Sequence, residues 1–126
     1  MTKTKKQTIL IVEDEAALIK ILANSIKKEG FNVLEAGDGA EGLSMALKNH
    51  PGLILLDIVM PVMDGIAMVE RLRADKWGKN ASVIVLSNLN DVEKEADFMK
   101  KGVYNYLIKT DWKIVDIISK IKKTLK

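Results

Sequence analysis

Cysteine is absent from this chain and histidine occurs once, at His50. Those absences remove disulfides, thiol nucleophiles and any metal centre built on cysteine or on a histidine cluster, so a metal ion bound here must be held by oxygen. Long apolar runs are also missing. No stretch approaches the roughly 20 residues that span a bilayer, and Met1-Thr2-Lys3-Thr4-Lys5-Lys6 lacks the apolar core of a secretory signal, so the expected location is cytoplasmic. Proline is scarce: Pro51 closes a helical pattern and Pro61 marks a turn. No linker, repeat or low-complexity segment interrupts the chain apart from short lysine-rich ends.

What is present suits a single globular unit. The chain has 126 residues, 48% hydrophobic and 29% charged, which excludes disordered and fibrous classes and leaves one domain spanning 1–126, with 1–7 expected as a flexible basic N-terminus. The net charge is +3, with lysines gathered at the two ends (Lys3, Lys5, Lys6, then Lys113, Lys120, Lys122, Lys123, Lys126). Lysines spread around a helix are a solvated face in most proteins, so neither nucleic acid nor membrane is an expected partner.

Apolar periodicity alternates strand and helix along the chain. Strands are predicted at Thr8–Val12, Asn32–Ala36, Leu53–Asp57, Val83–Ser87 and Val103–Ile108. Helices are predicted from Ala17 to Lys28 with Gly30 as the stop, after Gly37-Asp38-Gly39, from a cap at Asp64 through Ile66, Val69, Leu72 and the stem of Arg73, over Asp91–Lys101 ended by Gly102, and from about Trp112 behind a cap at Asp111. The last carries Ile114, Ile117, Ile118, Ile121 and Leu125 on one side. This alternation predicts an α/β fold, a parallel sheet with helices on both faces, because parallel neighbours need crossover connections.

One residue stands out against that frame. Leu53-Ile54-Leu55-Leu56 reads as a strand buried on both faces, yet it ends in Asp57, where a carboxylate is costly unless its charge has a use. Ligands in such folds bind beyond the carboxyl ends of the strands. The residues there are Glu13, Asp14, Asp57, Ser87, Asn88 and Lys109. Converging carboxylates repel one another, and a hard divalent cation such as Mg²⁺, content with oxygen ligands and water, relieves the repulsion. A serine hydroxyl and a lysine ammonium nearby suit the oxygens of a phosphoryl group, and the matching chemistry is phosphoryl transfer to a carboxylate.

The set Glu13-Asp14, Asp57 with Met60-Pro61 and Met63-Asp64-Gly65, Ser87, Tyr106 and Lys109, spread from Thr8 to Leu125, resembles the receiver domain of bacterial two-component response regulators, of the chemotaxis-receiver kind. The resemblance implies a flavodoxin-like, doubly wound sheet of five parallel strands in the order 2-1-3-4-5. It implies that Asp57 is the phosphoacceptor, supplied by a histidine kinase or histidine phosphotransfer protein, and that Mg²⁺ is the cofactor, bound by Asp14 and Asp57, by Glu13 through water and by the Val59 carbonyl. Ser87 and Lys109 would contact the phosphoryl group. Tyr106 would switch with Ser87 and reshape the face of the fourth helix, fifth strand and fifth helix, where a downstream protein binds. On this reading the chain is a signalling phosphoacceptor rather than an enzyme with a separate substrate.

Several positions depart from the family pattern. Thr110 follows Lys109 where proline is usual, and Asn88 replaces a small residue. Val59 and Leu89 put apolar side chains beside the site, which predicts slow self-dephosphorylation. Phe98 takes a usually small position on the fourth helix, predicting a more apolar output face and a possible homodimer. The alternative reading is a degenerate receiver that binds partners without phosphorylation. A phosphatase with an aspartyl intermediate ranks last, because the place two residues after the nucleophile is Val59 rather than an acid.

Overall fold

The computed structural model describes residues 7–57, 64–87, 92–103, 105–108 and 113–125. The strands are β1 (Thr8–Val12), β2 (Asn32–Ala36), β3 (Leu53–Asp57), β4 (Val83–Ser87) and β5 (Asn105–Ile108). They pair in parallel in the order β2-β1-β3-β4-β5, as expected. The helices are α1 (Ala16–Lys28), α2 (Gly39–Asn49), α3 (Gly65–Ala74), α4 (Val92–Lys100) and α5 (Ile114–Thr124), with a short 3₁₀ turn at Gly78–Asn80 before β4.

Side chains alternate across each strand, so every buried strand feeds two cores. Leu10, Val12, Ile54, Leu56, Val83 and Val85 point to one face and meet Ala46 of α2, Met68, Val69 and Leu72 of α3 and Phe98 of α4. Ile9, Ile11, Leu53, Leu55, Ile84 and Leu86 point to the other and meet Leu22, Ala23 and Ile26 of α1 and Ile117 and Ile121 of α5. Met68 belongs to the buried stripe of α3 as much as the predicted Val69 and Leu72.

Helix ends follow local chemistry. Asp38 and Asp64 cap α2 and α3 by accepting from the Glu41 and Ala67 amides at 2.8 and 2.9 Å. Gly30 supplies the positive φ (94°) that stops α1.

Three expectations need correction. First, α5 begins at Ile114 behind Lys113, not near Trp112 behind Asp111: the Asp116 carboxylate, three residues inside, accepts from the Lys113 amide at 2.8 Å, satisfying the amide at the helix entry. Second, β5 starts at Asn105 rather than Val103, because Val103 serves α4. Its amide donates to the Phe98 carbonyl at 2.9 Å and the Gly102 amide to Met99 at 3.0 Å, with Gly102 at φ 77°, a Schellman termination. Third, Phe98 is fully buried in the core beside Val103, so it adds nothing apolar to an output face. The hydrophobic pair across the helix end is part of that termination, and it pulls the ring inward.

Arg73 ties the lower part of this half together. Its stem was expected in the apolar stripe of α3, but its head group does more. Nε donates to the Lys101 carbonyl, Nη1 to Gly78 and Ala81, each at 2.7 Å, and Nη2 to Gly102 at 3.3 Å. The end of α3, the 3₁₀ turn and the α4–β5 turn thus share one planar donor set.

Candidate functional site

The ladder between β1 and β3 pairs Val12 with Leu56, and the residues just beyond are Glu13 and Asp57. Parallel pairing therefore brings two carboxylates to the same strand edge. The Glu13 amide continues the β1–β2 ladder by donating to the Ala36 carbonyl at 3.0 Å, which fixes the backbone one residue past the strand. Its side chain is 1% exposed, and Oε2 accepts from the Glu15 amide at 3.1 Å. Asp57 closes β3 opposite Leu86 of β4 and is 7% exposed. Asp14 is exposed next to them.

Ligand oxygens of Glu13, Asp14 and Asp57 all lie within 4.8 Å of one another. Two unit charges at such a spacing repel by roughly 3 kcal/mol at an effective dielectric near 20. Closely grouped carboxylates on a rigid sheet edge therefore favour a cation between them. The N-cap of α1 is Glu15, whose own side chain makes no cap hydrogen bond. Asp64 keeps its structural role as the cap of α3.

The sequence profile described as the response regulator receiver domain matches residues 9–122. The chain belongs to that family. Among relatives of this receiver, the transcriptional regulatory protein PrrA of Mycobacterium bovis is 34% identical over 118 residues, which are 94% of this chain and 49% of PrrA. A probable transcriptional regulator ycf27 of Porphyridium aerugineum is 33% identical over 83% of the chain and 42% of its own length. The receiver spans about half the length of the curated relatives it matches. Among solved structures, a CheY-like response regulator receiver domain protein from Methanospirillum hungatei superposes with a TM-score of 0.89 at 26% identity, covering 96% of this chain and 94% of that one. The CheX-CheY-BeF3-Mg²⁺ complex from Borrelia burgdorferi contains a chain matching with a TM-score of 0.86 at 28% identity, covering 95% and 90%. The fold is that of CheY-like receivers, flavodoxin-like and doubly wound.

Of the other residues singled out in the sequence, Ser87 is the last residue of β4, paired with Ile108, one step past the partner of Asp57. Tyr106 pairs with Val85 in β5. Both enter through their backbone positions. Val59, Asn88, Leu89, Lys109, Thr110, Asp111 and Trp112 lie outside the described residues. His50 ends α2 with a left-handed backbone (φ 48°), and its exposed ring stacks on Trp77 at 4.3 Å between centroids. That is local packing between the end of α2 and the turn after α3.

Gly42, to which apolar periodicity gives no role, shapes the site. A Cβ at Gly42 of α2 would stand 2.8 Å from both methyl carbons of Val12, so glycine is what lets the helix lie against the strand that carries Glu13. The only signal was a glycine inside a helical pattern, which usually costs stability unless packing needs it.

Proposed function

We propose that Asp57 accepts a phosphoryl group from a phosphohistidine of a histidine kinase or histidine phosphotransfer protein. A carboxylate oxygen attacks phosphorus, the P–O bond forms as the P–N bond breaks, and the leaving imidazole takes up a proton. The observation that carries this reading is the meeting of Glu13, Asp14 and Asp57 at one strand edge, with the acceptor itself held in the strand and largely covered. Burial on β3 fixes the attacking oxygens, and limited exposure keeps bulk water from competing.

The donor set is all oxygen and anionic, which fits Mg²⁺. Asp14 and Asp57 would hold the ion directly, Glu13 through water, and Val59 by its carbonyl. The ion supplies charge neutralisation on the phosphoryl oxygens. Ser87 and Lys109 are assigned to those oxygens as well, from their places at the end of β4 and in sequence just after β5. A matched relative in complex with BeF3 and Mg²⁺ supports the same pairing of ion and phosphoryl-like group.

The protein on this reading catalyses only its own phosphorylation and dephosphorylation, the latter slowly given Val59 and Leu89. The signal leaves through α4, β5 and α5, with Ser87 and Tyr106 as the switch. Met99 of α4 and Val115 of α5, 49% and 68% exposed, give that face apolar contacts for a downstream protein or a second copy. No helix among the described residues is long and apolar enough to cross a membrane, and we place the protein in the cytoplasm.

Incubation with Mg²⁺ and acetyl phosphate, read by intact mass, tests the proposal. One phosphoryl group is expected on the wild type and none on Asp57→Asn or without Mg²⁺. An unmodified wild type would assign the domain to phosphorylation-independent binding instead.

A further inference from the structure

At the other end of the sheet, where β4 begins, Arg73, Lys79, Asn80, Ser82, Gly102 and Thr124 line a cavity of about 370 Å³. Val83, which opens β4 and also lines the cavity, is three residues before Leu86, the partner of Asp57, hence about 10 Å along the strand from the acidic cluster. Among the described residues, the cavity lining contains two cations and no carboxylate.

Arg73 has five N–H donors, and four of them go to backbone carbonyls at Gly78, Ala81, Lys101 and Gly102. Carbonyls satisfy hydrogen bonds but bring no net negative charge. Among the described residues no carboxylate pairs with this guanidinium: the nearby Asp75 carboxylate is turned to the Trp77 and Gly78 amides at 2.9 Å, and Glu70 and Asp97 engage Lys101 instead. Burial alone holds the Arg73 pKa below its ordinary value, the mark of a cation desolvated without a counter-charge. A partly buried charge of this kind is stabilised by an anion, and one Nη2 proton remains to meet it. Lys79, the Asn80 amide and the Ser82 hydroxyl are further donors around the same space. The Thr124 hydroxyl gives its proton to the Lys120 carbonyl at 2.8 Å and is not one of them.

We propose that this cavity binds the oxyanion of a small phosphate ester, with Arg73 and Lys79 supplying charge and Asn80 and Ser82 hydrogen bonds. The volume exceeds what a bare tetrahedral anion fills and lies in the range of small-ligand sites. The proposal is independent of the phosphoacceptor reading of Asp57.

Amide NMR shifts test it, recorded in EDTA on Asp57→Asn so that the acidic end takes no part, during titration with glycerol 3-phosphate and, separately, inorganic phosphate. Saturable shifts are expected at residues 79–83 and 102. Tighter binding of the ester names a phosphate ester as occupant, and equal binding names the free anion. Lys79→Gln, at an exposed side chain, should weaken binding about threefold or more. Ser82→Glu, which places a carboxylate in the cavity, should abolish the response and raise the melting temperature by supplying the missing counter-charge. No saturable shift with either probe, or shifts spread over the lysines of α1 and α5 and unchanged by both substitutions, would overturn the proposal.

Discussion

Glu13 and Asp57 stand side by side at the ends of adjacent parallel strands, one residue beyond the paired Val12 and Leu56. Both are buried, and both are drawn toward the exposed Asp14 within a single ion's reach. A sheet cannot flex to separate neighbouring strand ends, so the repulsion is built into the register, and a cation held between the carboxylates would relieve it.

Mg²⁺ should therefore stabilise the fold. At ten times its Kd, one bound ion adds about 1.4 kcal/mol, seen as a melting temperature that rises with the logarithm of Mg²⁺ concentration above the Kd. Asp14→Asn and Asp57→Asn should flatten that response, and Glu13→Gln should reduce it less, since its contact runs through water. A thermal shift in Asp14→Asn equal to that of wild type would place the ion elsewhere.

Gly42→Ala should destabilise the protein by about 1 kcal/mol net. The added methyl meets both branches of Val12, so no rotamer of that side chain escapes it. Overpacking costs typically 1–3 kcal/mol, against roughly 1 kcal/mol gained in helix propensity. Adding Val12→Ala makes room for the methyl, so the double variant should lose less than the sum of the single losses in urea denaturation. Strict additivity would mean that α2 shifts instead.

Phe98→Ala should cost about 3–5 kcal/mol, the loss typical of a buried aromatic, while leaving the elution volume on size exclusion unchanged. A surface ring at a dimer contact would behave in the opposite way. The folded protein holds Phe98 with Val103 beneath α4, in the same core cluster as Leu10, Leu56 and Val85, and an exchange there removes core rather than interface.

The sequence makes the sheet readable because buried parallel strands are short apolar runs bounded by glycine, proline and acids. Strand order came from the resemblance and not from periodicity, which carries no information on who pairs with whom. Asp57 was visible as a charge in the wrong place. One boundary and one side chain depart from expectation for a common reason. Val103 looks like a strand residue and Phe98 like a surface one until the Gly102 termination is recognised, for then both must turn inward. At α5 the acid that satisfies the amide at the helix entry, Asp116, acts from inside the first turn. Arg73 gave no local sign at all, since its four acceptors lie as far as 29 residues away and are backbone atoms.

Arg73→Lys offers a test of that last arrangement that does not change charge. An ammonium is a point donor on a flexible stem and cannot reach carbonyls on both edges of a planar fork, so at least two of the four bonds should be lost. Each is worth about 0.5–1.5 kcal/mol net, and a carbonyl left dry costs more. A loss of roughly 2–3 kcal/mol is expected, measured as a lower urea midpoint with an unchanged m-value. Phosphorylation of Asp57 should proceed as before, because the clamp sits at the opposite end of β4 from the acidic cluster. If the labelling rate falls along with stability, then the α4–β5 turn held by Arg73 is coupled to the acceptor site, and α4 transmits force along its length rather than being anchored at its end.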